Sequence, residues 1–587
     1  MLFMLDYYGP MTEPKRLKFP TLLLALALTA PMVWAQTNAP LNSELNSSLL
    51  YELMLAEISD YNNDPVSAFQ LMLDAAQKSR SDQLFERAVE IALRARAGES
   101  ALQASQAWSR NAPGNKDATR YLLQILIGLN KLQETVDPIK RELGAMAPRE
   151  RSAAINLVPR YFVRATDKKL ATHVVEQTLA PELANPVTGP AAFAAIGTMR
   201  LLAEDSHGAL EAAKKGAALN RKAEEPVQLA LALTDPRLPD AEALVIAHLQ
   251  TGARPEVHMA YVRKLLDMQR YADANAQARQ INAAAPDFAE AWLVRGSLAL
   301  QKKELPDAQS ALSNFVRLRE AAQASAATET SSDRGLAQGY FLLAEIAEQS
   351  QKPDEVEHYL ALIDNPQDAI RVQARRAAIL ARQGKLEEAR ALIRATPESL
   401  PEDERAKINA EAQLLRDNKQ FQLVYDFLQE SLQRNPEDAD LRYDLAMAAE
   451  KLDKIDEMEK LLRQVIADKP EYHHAYNALG YSLADRKLRL PEARELVKKA
   501  LAFAPNDPFI LDSLGWVEFR SGNLDQARQI LQGAFEAKPD AEIAAHLGEV
   551  LWSLGDKDQA HAVWNSGLLQ NPDNDTLLDT IKRLSTL

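Results

Sequence analysis

Five prolines towards the C-terminus, Pro436, Pro470, Pro505, Pro539 and Pro572, fall at intervals of 34, 35, 34 and 33 residues. So regular a period admits few folds. Each period has to be one supersecondary unit that buries its apolar face by stacking on copies of itself, and a unit near 34 residues is a helix–turn–helix pair. Proline punctuates the units because it cannot continue a helix.

The residues between the prolines repeat as well. One unit carries Leu514, Gly515 and Trp516 in its first helix, then Ala527, Leu531 and Ala534 in its second. The next carries Leu547 and Gly548, then Ala560 and Trp564, and the preceding one Leu479, Gly480 and Tyr481, then Ala500. Small residues (Gly480, Gly515, Gly548, Ala527, Ala560) suit the close approach of two helices, and large apolar residues at helical spacing fill the space between pairs. Upstream the pattern weakens. Trp292, Gly296, Ala308 and Phe315 make one unit, and Ala274 with Pro286 marks the one before it. Gly384 with Ala389 and Gly197 with Ala209 mark two more; Ala56, Ala68 and Ala75, then Ala101 with Pro113, suggest the earliest ones. Residues 146–188 and 222–253 read as helix pairs without the signature residues, with a loop at 180–190. Only 21 glycines occur in 587 residues, and 47% of the chain is hydrophobic. That composition suits helices and leaves few positions for strand turns.

This spacing and small/large pattern resembles the tetratricopeptide repeat (TPR). The resemblance implies an all-α fold, a right-handed superhelical solenoid of TPR-like helix pairs. The expected organisation is an export signal at 1–35, divergent repeats at 36–253, a repeat pair at 254–320, a polar loop at 321–336, a C-terminal superhelix at 337–575 and a capping helix at 576–587.

The signal rests on Lys15, Arg16 and Lys18 before the apolar run 21–29, with Val33-Trp34-Ala35 as the cleavage site. The run is too short for a membrane anchor. The expectation is an exported periplasmic protein cleaved near Ala35, with Met11 a more natural start than Met1 because it gives a signal of ordinary length. The chain has no cysteine, which excludes disulfides, thiolate metal sites, thiol catalysis and a Cys-linked lipid anchor. A net charge of −14 argues against nucleic acid as a partner.

Catalytic signatures are missing. The nearest glycines, Gly335 and Gly339, are four apart with Ala337 midway between them, so there is no G-x-G and no G-x-S-x-G. The neighbouring His473 and His474 are expected on different sides of a helix, without the i, i+4 spacing of a metal site. No enzymatic activity, metal or cofactor is expected; an unrecognised active site is the least favoured of three readings.

A repeat solenoid recognises proteins through the face lined by the first helix of each pair. With unit starts at 439, 473, 508 and 541, the TPR pattern of inner-face positions places Tyr443, Met447, His474, Asn477, Tyr481, Phe509, Asp512, Trp516, Phe519, Arg520, Glu549 and Trp552 there. Aromatic and Arg side chains offer large contact area, so Tyr443, Tyr481, Phe509, Trp516, Phe519, Arg520 and Trp552 are the candidate partner-binding residues. For Trp516 and Trp552 packing between pairs stands as the alternative.

The stretch NALGYSLADRKLRLPEARELVKKALAFAPNDPFILDSLGWVEFRSGNLDQA is similar to exported TPR lipoproteins of Gram-negative proteobacteria, whose best-known type binds a periplasmic carboxyl-terminal processing protease and helps deliver cell-wall hydrolases to it. The resemblance implies a non-enzymatic adaptor with client proteins and such a protease as partners. Ala35 and Gln36 stand where those lipoproteins carry their lipidated Cys. A TPR scaffold for envelope or exopolysaccharide assembly is the second reading.

Overall fold

The computed structural model describes residues 47–325 and 334–585, so the signal at 1–35 lies outside the described residues. Two compact units divide the chain, Met1–Met268 and Gln269–Leu587. The division falls inside the 254–320 segment that reads as one repeat pair. Among the described residues there are 31 α-helices, three short 3-10 segments and no strand.

In the second unit, helices alternate in antiparallel neighbours from Ala289–Gln301 with Leu305–Ser325 to Ala541–Ser553 with Lys557–Gln570. The first helices at Ala439, His473, Pro508 and Ala541 start where the proline register puts them. Aspartate fixes three of these starts: Asp438 accepts from Leu441 N–H (2.9 Å), Asp507 from Phe509 (2.9 Å) and Ile510 (3.1 Å), and Asp540 from Glu542 (2.8 Å). Each satisfies amide donors that a helix start leaves open.

The turn inside each pair carries a second periodic feature. One residue is left-handed at Gly384, Lys419, Asp453, Lys487, Gly522 and Gly555, with φ between 54° at Lys419 and 89° at Gly555. The following N–H reaches back five residues, as in Lys454 to Ala449 O and Asn523 to Glu518 O, both 2.9 Å. This is the Schellman ending of a helix. Gly384 therefore belongs to the turn and not to the close helix approach that its pairing with Ala389 suggests.

The glycines inside the first helices do lie at close approaches. A β-carbon at Gly296 would lie 2.5 Å from Leu312 Cγ, at Gly480 2.6 Å from Val497 Cγ2, at Gly515 2.5 Å from Leu531 Cγ, and at Gly548 1.9 Å from Trp564 Nε1. Ala308, Ala527 and Ala560 in the second helices are fully buried. The polar stretch 321–336 differs from the expected loop. Leu305–Ser325 is one helix and the next begins at Arg334, so the start and end of the stretch are helical, because alanines 321, 322 and 324 favour helix strongly. Asp575–Ser585 closes the unit with Leu577 and Leu584 buried.

In the first unit buried residues gather in successive clusters along the chain, three of which show the pattern. Phe85, Trp108 and Leu126 lie in the first, Ile155, Phe162 and Met199 in the second, and Ala209, Leu229 and Leu233 in the third. The stretches 146–188 and 222–253 contain the helices Pro148–Phe162, Lys168–Leu179, Glu225–Leu233 and Pro239–Leu249. At 180–190 a 3-10 turn, Ala180–Glu182, precedes the helix Gly189–Leu202.

Candidate protein-interaction face

The candidate residues lie on the first helices of four successive pairs, where the 34-residue period returns each position to the same side. They are not alike in accessibility. Phe509 is 40% exposed, with Lys538 Nζ 4.6 Å above its ring centre. Tyr443 is half-buried at 5.6 Å from the Tyr472 ring and 6.5 Å from His474. Burial pushes its hydroxyl up to about 12. His474 is exposed, and burial of part of its ring together with the neighbouring His473 lowers its proton affinity. The rings of His473 and His474 are 4.0 Å apart and so do not point to different sides. At the first two positions of a helix no preceding turn restricts the side-chain torsions.

Trp516 is only 4% exposed. Its face is stacked on His546 at 4.2 Å, Phe519 lies 5.1 Å away, and its Nε1–H donates to Asp485 at 3.2 Å. Arg520 is turned onto the same Asp485, bonding its backbone carbonyl and carboxylate, with its guanidinium carbon 5.0 Å from the Trp516 ring. Trp516 is thus covered on the side where an open groove residue would meet a partner. Trp552 is half-buried and leans on its own second helix, 5.5 Å from both His561 and Trp564.

Sequence reasoning missed the centre of this arrangement. His546 is 5% exposed; its Nδ1 lies 2.8 and 3.0 Å from the Asp512 oxygens and its Nε2 3.3 Å from the Tyr481 hydroxyl. Burial disfavours the imidazolium, but Asp512 outweighs it and the net shift is upward. Next to it Glu549 (6% exposed) takes Arg583 of the closing helix. The repeat register gave no signal for His546, since it falls one position later in its unit than Asp512 does in the preceding one. A cleft of about 770 Å³ went unread as well. It is lined by Val356, Ile379, Leu380 and Leu392, beside Pro353–Ala361, a second helix of nine residues where its neighbours have more. Among the described residues no cluster of three His, Asp or Glu side chains suits a metal ion, and no helix is long and apolar enough to cross a membrane.

Family profiles described as tetratricopeptide repeat match residues 262–318, 415–480 and 518–583. The chain is 36% identical over 246 residues to the TPR repeat-containing protein PA4667 of Pseudomonas aeruginosa, a match that covers 42% of each. It is 38% identical over 74 residues to the chloroplastic PsbB mRNA maturation factor Mbb1 of Chlamydomonas reinhardtii, 12% of this chain and 11% of that one. The chain thus spans less than half the length of these relatives. The crystal structure of TTC0263, a TPR protein of Thermus thermophilus, is 24% identical with a TM-score of 0.28 and covers 30% of this chain and 94% of its own. That of the APC/C hetero-tetramer Cut9–Hcn1 is 13% identical with a TM-score of 0.30 and covers 84% and 95%. Residues 262–318, 415–480 and 518–583 thus carry tetratricopeptide repeats, in a chain whose described residues form helices and no strand and which has a TPR repeat-containing relative in Pseudomonas aeruginosa.

Proposed function

We propose that the protein is a periplasmic interaction scaffold without catalytic activity, which holds client proteins on the first-helix face of its C-terminal repeats and acts as adaptor for a carboxyl-terminal processing protease. TPR repeats imply a protein-binding scaffold. The observation that supports the client-binding face is the aromatic set along it, half-buried Tyr443 with exposed His474 and then exposed Phe509, with Tyr481, Phe519 and Arg520 on the same first helices. Half-exposed aromatics on rigid helices bind with little further loss of side-chain freedom. The protease assignment comes from the resemblance of the 477–527 stretch to the proteobacterial adaptors.

The test is retention of a purified carboxyl-terminal processing protease from the same organism on the immobilised protein, beside the Tyr443→Ala/Phe509→Ala variant. Retention at micromolar affinity or better is expected, with at least tenfold weakening in the variant. No retention removes the adaptor role. Recovery of envelope or polysaccharide-export components from a periplasmic extract instead transfers the scaffold to that pathway. N-terminal sequencing that finds Met1 on the purified protein overturns export.

A further inference from the structure

The helix Ser47–Tyr61 is apolar round most of its circumference. Leu49 and Ala56 are buried, and Leu53 packs against the core that Ala56 joins. The opposite side is apolar too: Leu50 is 46% exposed, Tyr51 63%, Met54 55%, Ile58 51% and Tyr61 91%. At 100° per residue these five fall within about 100° of arc. A helix apolar on all sides is ordinarily buried on all sides. The first described helix of a solenoid with an uncovered apolar side is the situation that a capping element normally prevents.

The charges of this helix indicate what covers it. Its three acidic residues, Glu52, Glu57 and Asp60, all pair within the chain. Lys78 holds Glu52 at 2.6 Å, Arg87 holds Glu57 at 2.8 Å and Asp60 at 3.0 Å, and Arg94 holds Asp60 at 2.6 Å. The exposed arc itself is uncharged, so nothing on it selects a basic or acidic partner. The helix contains no Lys or Arg, whereas helices that lie on membranes carry them on their polar face. With export cleavage near Ala35, the reading on which this step rests, the chain ahead of the helix is the eleven residues from Gln36 to Asn46, which bring only two large apolar side chains, Leu41 and Leu45, too few to cover five. Tyr51, Met54, Ile58 and Tyr61 are spaced 3, 4 and 3 residues apart, the pattern of a helix seam. A second copy of the same helix satisfies each of these conditions, because its arc is equally long, equally apolar and free of uncompensated charge.

We infer that the protein self-associates through Ser47–Tyr61, two copies packing their Leu50–Met54–Ile58 arcs across a two-fold axis. Such an isologous contact places each residue against a symmetry-related one, and residues at the middle of the helix meet their own copies.

Sedimentation velocity of the protein purified after expression of the full sequence tests this, beside Met54→Glu/Ile58→Glu. The wild type is expected to dimerise with a dissociation constant in the micromolar range, and the variant to remain monomeric with an unchanged melting curve, since both positions are exposed. A wild type that stays monomeric at about 100 µM, well above a micromolar constant, overturns the inference; so does a dimer that survives both glutamates. A second readout does not depend on that variant. The chain lacks cysteine, so Met54→Cys carries a single thiol, and oxidation is expected to give a covalent dimer. Failure to cross-link, while the wild type dimerises, places the contact elsewhere and overturns the arrangement. Two further outcomes also overturn it. In one, a chain starting at Ser47 dimerises while one starting at Gln36 does not, which makes 36–46 the cover. In the other, the wild type but not the glutamate variant floats with phosphatidylglycerol vesicles.

Discussion

Tyr481 and His546 lie two repeats apart in sequence, 65 residues, yet the Tyr481 hydroxyl is 3.3 Å from His546 Nε2. In an idealised solenoid each repeat touches only its neighbours. Here the helices His473–Asp485, Pro508–Arg520 and Ala541–Ser553 converge on one buried imidazole. With Nδ1–H donating to Asp512, Nε2 accepts from Tyr481 when the ring is neutral and donates to it when the ring is protonated.

The charged groups around His546 set a pH dependence. Asp512 from one neighbouring helix and Glu542 and Glu549 from its own outweigh burial and raise its proton affinity above the ordinary 6.5. Tyr481 faces it unionised, because burial and nearby carboxylates push its hydroxyl well up. A raised folded-state value means the stabilisation is fully present below about pH 6.5 and fades as pH rises through that value. The melting temperature of the wild type should therefore exceed that of His546→Gln most at about pH 6, with the gap narrowing on the alkaline side. A gap that widens with pH reverses the sign of this argument.

Trp516→Ala should cost about 3–5 kcal/mol, the penalty of an emptied core site around an aromatic, and it also leaves the His546 face uncovered. Phe509→Ala, at 40% exposure, should change stability by less than about 1 kcal/mol. Urea titration of both variants separates a packing residue from a surface one. Equal losses would contradict the burial that distinguishes them.

Glycine-to-alanine changes in the first helices should rank by what the new methyl meets. At Gly548 it meets the Trp564 indole, a rigid ring that is 1% exposed, and overpacking there should cost about 1–3 kcal/mol. At Gly296 and Gly515 it meets the end of a leucine, which can turn aside, so the loss should be smaller. Hydrogen exchange should show the damage of Gly548→Ala in the last two pairs and the closing helix.

The left-handed turn residues yield a prediction of opposite signs. A non-glycine residue in this conformation is strained by roughly 1–2 kcal/mol. Asp453→Gly, at φ 57°, should therefore stabilise by up to about 1 kcal/mol once the extra freedom of the unfolded glycine is subtracted. Gly522→Ala, at φ 87°, should destabilise by about 1 kcal/mol or more. Thermal melts of the two variants should move in opposite directions.

Glu518 is a buried carboxylate (2% exposed) held by Arg494 through bonds of 2.6 and 2.8 Å and by Asn523 at 2.6 Å. Burial raises its pKa, but the Arg494 and Asn523 contacts win and the net shift is downward. Its contribution is present above about pH 4.5 and is lost as pH falls through the lower folded-state value. Arg494→Met strands the charge and should cost about 3–5 kcal/mol at neutral pH. The deficit should shrink in acid, where Glu518 accepts a proton.

The sequence by itself determined the architecture of the C-terminal repeats. Proline spacing and the small residues at Gly480, Gly515 and Gly548 are strictly periodic signals, and a 34-residue period leaves one way to stack. It also placed Tyr443, Tyr481, Phe509, Trp516 and Trp552 on the first helices of their pairs. Only the tertiary structure decided which of them face solvent. Trp516 and Phe509 share a helix and a pattern, but the ring of His546 from the next pair closes over the tryptophan, whereas the phenylalanine has only the Lys538 ammonium above it and stays exposed. That choice depends on how tightly successive pairs wind, which no single repeat encodes. The same holds for Gly384, whose backbone angle and not its neighbour Ala389 gives its place. It holds too for the apolar arc of Ser47–Tyr61, because a run of leucine, methionine and isoleucine reads as core until the fold shows which side is covered.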